Sequence, residues 1–292
     1  MGRRFDTISF LSDLGVADEA VGVVKSIVRD LAPHVTVVDL THHVAPYDVR
    51  AGSLALARAI GYVPSGVVLA SVDAGPQSRR PLVAIEVAGG EGVLVGPDNG
   101  LLAPAVAMAG GAERAVLLVD ATFHLATAGG AWPTRDVLAP VAAHLCNGVD
   151  LATLGEEVDT DTLLPGVVPL PREAAGGGVA AEVLWIDHFG NCQLNIGLDD
   201  VAPWALAEGQ RVQVSAGDIT RVAERVEHIG LLGAGSVGLV VDPYGMLSLV
   251  LDRRSAAEEL ALVPTDQVVV APLPEGDRGQ GTTSPVTLRP TR

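Results

Sequence analysis

With 292 residues, 48% of them hydrophobic, the chain is long enough for two domains with sizeable cores. Its net charge of -16 excludes a general nucleic-acid binder, which needs a basic face against phosphate. No apolar run reaches the ~18 residues of a membrane span, the N-terminus "MGRRFDTISF" lacks the apolar stretch of a signal peptide, and Cys146 and Cys192 form no CxxC pair. A cytoplasmic protein with two buried thiols, no zinc site and no membrane partner is expected.

In chain order, "TISFLSD" reads as a strand, and "DEAVGVVKSIVRDLAP" as a helix with apolar residues at helical spacing and Pro33 as its stop. "VTVVDLT" is the next strand and Asp48 to Tyr62 the next helix. "GVVLASVD", "PLVAIEVA", "GVLVGPD" and "RAVLLVD" are further strands, "NGLLAPAVAMAG" follows the third of them, and Thr134 to Asn147 is helical. Alternation of this kind predicts an α/β N-terminal domain, residues 1–158, with a mostly parallel sheet. Residues 159–178, "DTDTLLPGVVPLPREAAGGG", read as a Pro- and Gly-rich linker. The short strands "VAAEVLWID", "QLNI", "QRVQVSAG", "SVGLVVD", "MLSLVLD" and "DQVVVAPL" predict an all-β, barrel-like C-terminal domain over 179–275. Residues 276–292 lack apolar periodicity and read as a disordered tail.

Ligands of open α/β sheets collect beyond the carboxyl ends of strands, and three acids stand there: Asp13, Asp73 and Asp98. Each alone is more often a turn former than a catalyst; together they raise the odds of a site. A P-loop, a strand-to-helix glycine fingerprint and a GxSxG elbow are all missing. His42 and His43 are adjacent on an extended segment and point to opposite faces, so a shared metal is not expected. "WIDHFGNCQLNI" crowds Asp187, His188, Asn191 and Asn195 around Phe189. It reads equally as a hairpin turn and as a purine pocket, with Phe as a stacking face and an Asn amide matching an adenine edge.

Taken together, "SFLSDLGVADEAVG", "VTVVDLTHHVAPYDVRAGSLAL", "SVDAGPQSRRP", "GPDNGLLAPA", "TRDVLAPVAAHL" and "IDHFGNCQLNI" resemble one family, the S-adenosyl-L-methionine hydroxide adenosyltransferases, relatives of the fluorinase and chlorinase enzymes. The resemblance runs from Ile8 to Leu262 and implies an α/β domain, a β-barrel domain and homotrimers with active sites at subunit interfaces. It implies hydrolysis of S-adenosyl-L-methionine to adenosine and L-methionine, by displacement at C5′, with no cofactor and no metal. It further implies that Asp13 holds the ribose hydroxyls and that Tyr47 lies near the ribose. Phe189 and Asn191 would contact adenine and Asp187 the ammonium, with Asp18 a further pocket contact. Asp73 and Arg80 would orient the attacking water, the carboxylate accepting its proton and the guanidinium favouring hydroxide, with Arg79 a solvated neighbour.

One departure stands out. The family's Phe-His-Gly-Arg-Asp segment is "WPTRD" here, with Pro133 in the place of the His. Either His124 approaches instead or Thr134 holds the nucleophile, as a hydroxyl residue does for halide in the halogenating members. A 5′-halo-adenosine synthase and a silent binding protein are therefore the rival readings. "DPYG", Asp242 to Gly245, departs from the family's Ser-containing turn.

Overall fold

The computed structural model describes residues 2–273 apart from 76, 77, 127, 128, 130 and 205. The proposed tail, 276–292, lies outside the described residues. Two compact units divide between Val168 and Pro169.

The first unit grows from strands too apolar to sit at a surface. β1 (Thr7–Ser12) and β3 (Gly66–Ser71) are buried on both faces almost throughout, the signature of parallel strands covered by helices. They are joined by β2 (Thr36–Thr41), β4 (Leu82–Val87), β5 (Gly92–Pro97), β6 (Arg114–Leu117) and β7 (Glu156–Val158) in the order β2-β1-β3-β5-β4-β6-β7. β2, β1, β3 and β5 are mutually parallel, while β4 is antiparallel to β5 and β6, and β6 to β7. β6 therefore runs with the parallel set, leaving only β4 and β7 reversed.

Helices cover both faces. α1 (Ala20–Leu31) and α4 (Ala139–Cys146) pack Val24, Val28, Val141 and Leu145 on the face that carries Phe10 and Leu69. α2 (Val49–Ile60) and α3 (Ala103–Met108) bring Leu56 and Val106 to the face carrying Leu11, Val68 and Ile85. Full burial of each such side chain stabilises the unit by about 1.5–3 kcal/mol. α4 is entered through a π-helical turn, Thr134–Leu138, a local irregularity frequent at functional sites.

The second unit contains β8 (Arg172–Ala174), β9 (Gly178–Ile186), β10 (Cys192–Gly197), β11 (Arg211–Ala216), β12 (Ile219–Arg225), β13 (Val237–Val241), β14 (Met246–Leu251), α5 (Ala256–Leu260) and β15 (Gln267–Pro272). Its sheet runs β10-β14-β13-β12-β11-β15-β9-β8, and pairing of β9 with β10 closes it into a barrel. Leu194, Val214, Leu239, Leu249 and Val268 belong to its core. Closure leaves the three-residue β8, paired only with β9, as the one free edge among the described strands of this sheet.

Four elements escaped the sequence pattern. β12, "ITRVAER", alternates but carries Arg221, Glu224 and Arg225, which disguise it as a turn. β7 and β8 have three residues each, and α5 five, too few for a periodicity. The stretch read as a linker contains β8 and a 3-10 turn at Thr160–Thr162. Predicted strand 114–120 ends at Leu117, and "NGLLAPAVAMAG" contains the six-residue α3.

Candidate active site

At the carboxyl ends of β1 and β3, and in the loop between β2 and α2, the chain makes three turns that converge on one side chain. Asp13 follows β1, and its Oδ2 accepts hydrogen bonds from the backbone N–H groups of Tyr47, at 3.0 Å, and of Asp73, at 3.2 Å. Both donors are left-handed, with φ of 66° at Tyr47 and 50° at Asp73. Non-glycine residues adopt this region at a cost of about 1–3 kcal/mol, and such strain collects where a site is preformed. A carboxylate that takes two amide bonds offsets that cost with charge-assisted hydrogen bonds. Asp13 N–H itself donates to Ser71 O at 3.2 Å, so the β1 exit is tied to β3 as well. Gly15, with φ 73°, lets the chain turn away immediately afterwards.

The β3 exit is fixed from two further directions. Ser71 Oγ lies 2.6 Å from Thr134 Oγ1, a hydroxyl pair with both residues buried. Asn99 Nδ2 donates to Val72 O at 3.0 Å, while Asn99 Oδ1 accepts from Leu101 N. The Asp73 carboxylate takes no hydrogen bond from any described residue. Arg80 is exposed, and among the described residues no ion pair joins it to Asp73. The structure thus unites Asp13, Tyr47 and Asp73, adds Thr134 through Ser71, and leaves Arg80 outside this contact set. Arg79 is exposed with φ 51°.

The segment that carries Thr134 is self-contained. Asp136 is buried, pairs with Arg135 Nε at 2.5 Å and accepts from Trp132 N at 2.7 Å. Burial would push its carboxyl up, but these hydrogen bonds prevail and hold it below the ordinary carboxylate range. Pro133 caps the π turn. His124 lies next to Leu125, whose N–H donates to Asp136 O at 2.8 Å. Its Nε2 is buried without a hydrogen-bond partner among the described residues, and burial holds its pKa below the ordinary imidazole value against the pull of Asp120.

Two expected acids serve the backbone. Asp98 Oδ1 accepts from Leu164 N at 2.8 Å, and Asp18 Oδ1 from Ala20 N at 3.0 Å, where α1 begins.

The second unit gathers the remaining candidates at one turn. Asp187 Oδ1 accepts from the N–H groups of Phe189 and Asn191, and its Oδ2 from Asn191 Nδ2 at 2.7 Å. Asp187 and Asn191 thereby fix each other, and Phe189 stands 76% exposed with an open ring face. Gly190 has φ 83°, and a Cβ there would fall 2.1 Å from Ser255 Oγ, so the turn admits no larger residue. Asp187 and Asn191 border a cavity of 620 Å³ with Trp185, Gln193, Asp242 and Tyr244. Asp242 Oδ2 accepts from Gln193 Nε2 and Ser248 Oγ, and its Oδ1 from Tyr244 N and Met246 N. Sequence reasoning missed Ser71, Asn99 and Gln193. Ser71 and Asn99 lay inside motifs already singled out, "SVDAG" and "PDNG".

No group of three or more metal-ligating side chains occurs among the described residues. The first unit presents the Asp13 and Asp73 carboxylates at its strand ends, and the second unit presents the exposed Phe189 ring.

Models of two families match the chain: SAM hydroxide adenosyltransferase N-terminal domain over residues 8–155 and C-terminal domain over residues 181–269. An (R)-S-adenosyl-L-methionine hydrolase from Salinispora tropica is 39% identical over 90% of this chain and 97% of its own. A fluorinase from an Actinoplanes species is 28% identical over 66% of this chain and 72% of its own. The crystal structure of an uncharacterized conserved protein from Thermotoga maritima superposes with a TM-score of 0.82 at 26% identity, over 90% of this chain and 99% of that one.

Proposed function

The chain belongs to the SAM hydroxide adenosyltransferase family, and from that premise we propose that it hydrolyses S-adenosyl-L-methionine to adenosine and L-methionine by in-line attack of an oriented water on C5′. The sulfonium is already a good leaving group. The protein's task is therefore to place a desolvated nucleophile opposite the C5′–S bond. One observation carries the reading: a single Asp13 carboxylate binds the backbone of both Tyr47 and Asp73, left-handed residues that follow β2 and β3, the two strands flanking β1.

Asp13 Oδ2 is committed to those amides, which leaves Oδ1 to accept ribose hydroxyls beside Tyr47. Asp73, free of other described partners, accepts a proton from the water. Arg80 is on the same loop, and closing toward Asp73 in the presence of substrate would stabilise developing hydroxide. Thr134 holds Ser71 and so fixes the strand end that carries Asp73. Phe189 stacks on adenine, Asn191 reads its edge and Asp187 attracts the ammonium; Asp18, at the start of α1, is a further pocket contact. No cofactor enters this scheme, because the sulfonium supplies the driving force.

The reading extends to a homotrimer in the cytoplasm, where the two separated thiols, Cys146 and Cys192, stay reduced. No described helix is long and apolar enough to cross a membrane. Light scattering that gives a monomer would remove the trimer without touching the chemistry.

The test is incubation with S-adenosyl-L-methionine in halide-free buffer. Adenosine and methionine appear in equal amounts, and Asp73→Ala abolishes both while still binding adenosine. Tight binding with no turnover in the unaltered chain supports instead a silent binding protein, the reading favoured by Pro133. Formation of a 5′-halo-adenosine on adding chloride or fluoride supports the halide reading.

A further inference from the structure

His42 has no part in the chemistry above, yet it is only 5% exposed and touches two strands. Its Nδ1 lies 2.8 Å from Ser12 Oγ, at the end of β1. Its Nε2 lies 3.2 Å from Asp39 Oδ1 on β2, and Phe10 packs edge-on against the ring at 4.6 Å between centroids. Asp39 Oδ2 in turn accepts from Lys25 Nζ of α1 at 2.9 Å.

The direction of this chain follows from its outer end. Nε2 makes no aligned hydrogen bond, but the negative charge 3.2 Å from it favours the tautomer that carries the hydrogen on that nitrogen. In the neutral ring Nδ1 is then the acceptor, and the Ser12 hydroxyl must donate to it. That leaves the oxygen of Ser12 to accept from Leu14 N–H, at 3.4 Å. The His42 carbonyl separately accepts from Gly15 N–H at 2.8 Å. The loop from Ser12 to Gly15 is thus pinned on both sides of Asp13 by one residue.

We propose that Asp39, a half-exposed carboxylate on the edge strand β2, is a positioning residue for the reaction. By fixing the His42 tautomer it sets the Ser12 hydrogen bond and, through it, the placement of Asp13. The inference rests on the reading of Asp13 as the group that receives the ribose.

The test is Asp39→Asn in the full chain. Lys25 can only donate, so it holds the amide oxygen and turns the NH₂ toward His42. The ring must then accept at Nε2 and donate from Nδ1, and the Ser12 bond reverses. Nitrogen-15 NMR of labelled histidine should show the Nε2–H tautomer in the unaltered chain and Nδ1–H in the variant. KM for S-adenosyl-L-methionine should rise about tenfold with kcat nearly unchanged, the mark of lost ground-state binding. Amide exchange should quicken at Tyr47 and Asp73, whose N–H groups Asp13 holds, while the melting temperature barely moves. An Nδ1–H tautomer in the unaltered chain overturns the proposal. So does a flipped tautomer with unchanged KM and exchange, or quickened exchange across the whole chain. Should the chain fail to hydrolyse S-adenosyl-L-methionine at all, the tautomer and the exchange at Tyr47 and Asp73 still decide the positioning role. Failure of the functional reading is thus a separate result.

Discussion

Replacing Asp13 by alanine removes the acceptor of two backbone donors, Tyr47 N at 3.0 Å and Asp73 N at 3.2 Å. Hydrogen bonds to charged groups contribute about 1.5–3 kcal/mol each, and partial exposure of Asp13 argues for the lower end, so the pair is worth about 3 kcal/mol. Nothing then offsets the left-handed φ values at Tyr47 and Asp73, and both turns relax. At about 2–4 °C per kcal/mol for a unit of this size, the melting temperature should fall by about 6–12 °C.

Asparagine separates geometry from charge. Its amide oxygen still accepts both donors, but neutral bonds are about half as strong, so Asp13→Asn should recover about half of the lost stability. Catalysis discriminates further. If the turns must be held for the reaction, kcat/KM of the alanine variant drops roughly a hundredfold, the equivalent of about 3 kcal/mol. Calorimetric melting and adenosine release by chromatography read the two quantities. An alanine variant that melts within a degree of the unaltered chain would refute the idea that this carboxylate holds the site together. So would an asparagine variant as unstable as the alanine one.

Asp73→Gly should leave the melting temperature within about 2 °C, because relief of the left-handed φ of 50° offsets the entropy cost of glycine, while turnover falls at least about a hundredfold as a positioned acceptor is lost; equal turnover would exclude Asp73 from the chemistry. Gly190→Ala forces a Cβ to within 2.1 Å of Ser255 Oγ at a φ of 83°, so the urea midpoint should drop by the equivalent of about 2–5 kcal/mol. Burial holds both His124 and His144 below the ordinary imidazole value. The unfolded chain therefore binds protons first as pH falls through about 6.5, and stability should decline below that point and level off under the folded pKa values; a His124→Gln, His144→Gln chain should show a shallower decline of melting temperature from pH 7 to 5. Burial pushes the Cys146 and Cys192 thiols up to about 12, so a thiol reagent at pH 8 should react only as fast as the chain opens.

Sequence patterns resolved what repeats along one element and missed what meets across elements. β1, β3 and β5 are runs of Val, Ile, Leu and Phe bounded by Gly, Pro and Asp, and their ends lie within a residue or two of expectation. The convergence of Asp13, Tyr47 and Asp73 was visible only as three motifs and a resemblance, because positive φ at a tyrosine or an aspartate leaves no trace in composition. The Ser71–Thr134 pair joins residues 63 positions apart, and no local periodicity reports it. Asp98 looked equivalent to Asp13 as a strand-end acid, and Asp18 entered only as a lesser pocket contact. What separates them is the partner: Asp98 is spent on Leu164 and Asp18 on its own helix, while Asp13 reaches two distant turns. Asp187 stabilises the hairpin turn that was one of the two readings of its segment, and that turn leaves Phe189 exposed.

The same accounting bears on which group handles the nucleophile. At the β3 exit Ser71 O receives Asp13 N–H, Ser71 Oγ is paired with Thr134, Val72 O receives Asn99, and Asp73 N–H goes to Asp13. Thr134 can donate to a water or halide only in the arrangement where Ser71 donates to it, and only inside the buried space that the pair occupies. Asp73 has no such commitment among the described residues, and every backbone bond around it serves to hold it still. A rigid frame with one free carboxylate suits the abstraction of a proton from water better than the capture of an anion, which a carboxylate repels. Pro133 then removes a histidine from beside a threonine already occupied elsewhere, and the loss falls on a position that this frame does not depend on.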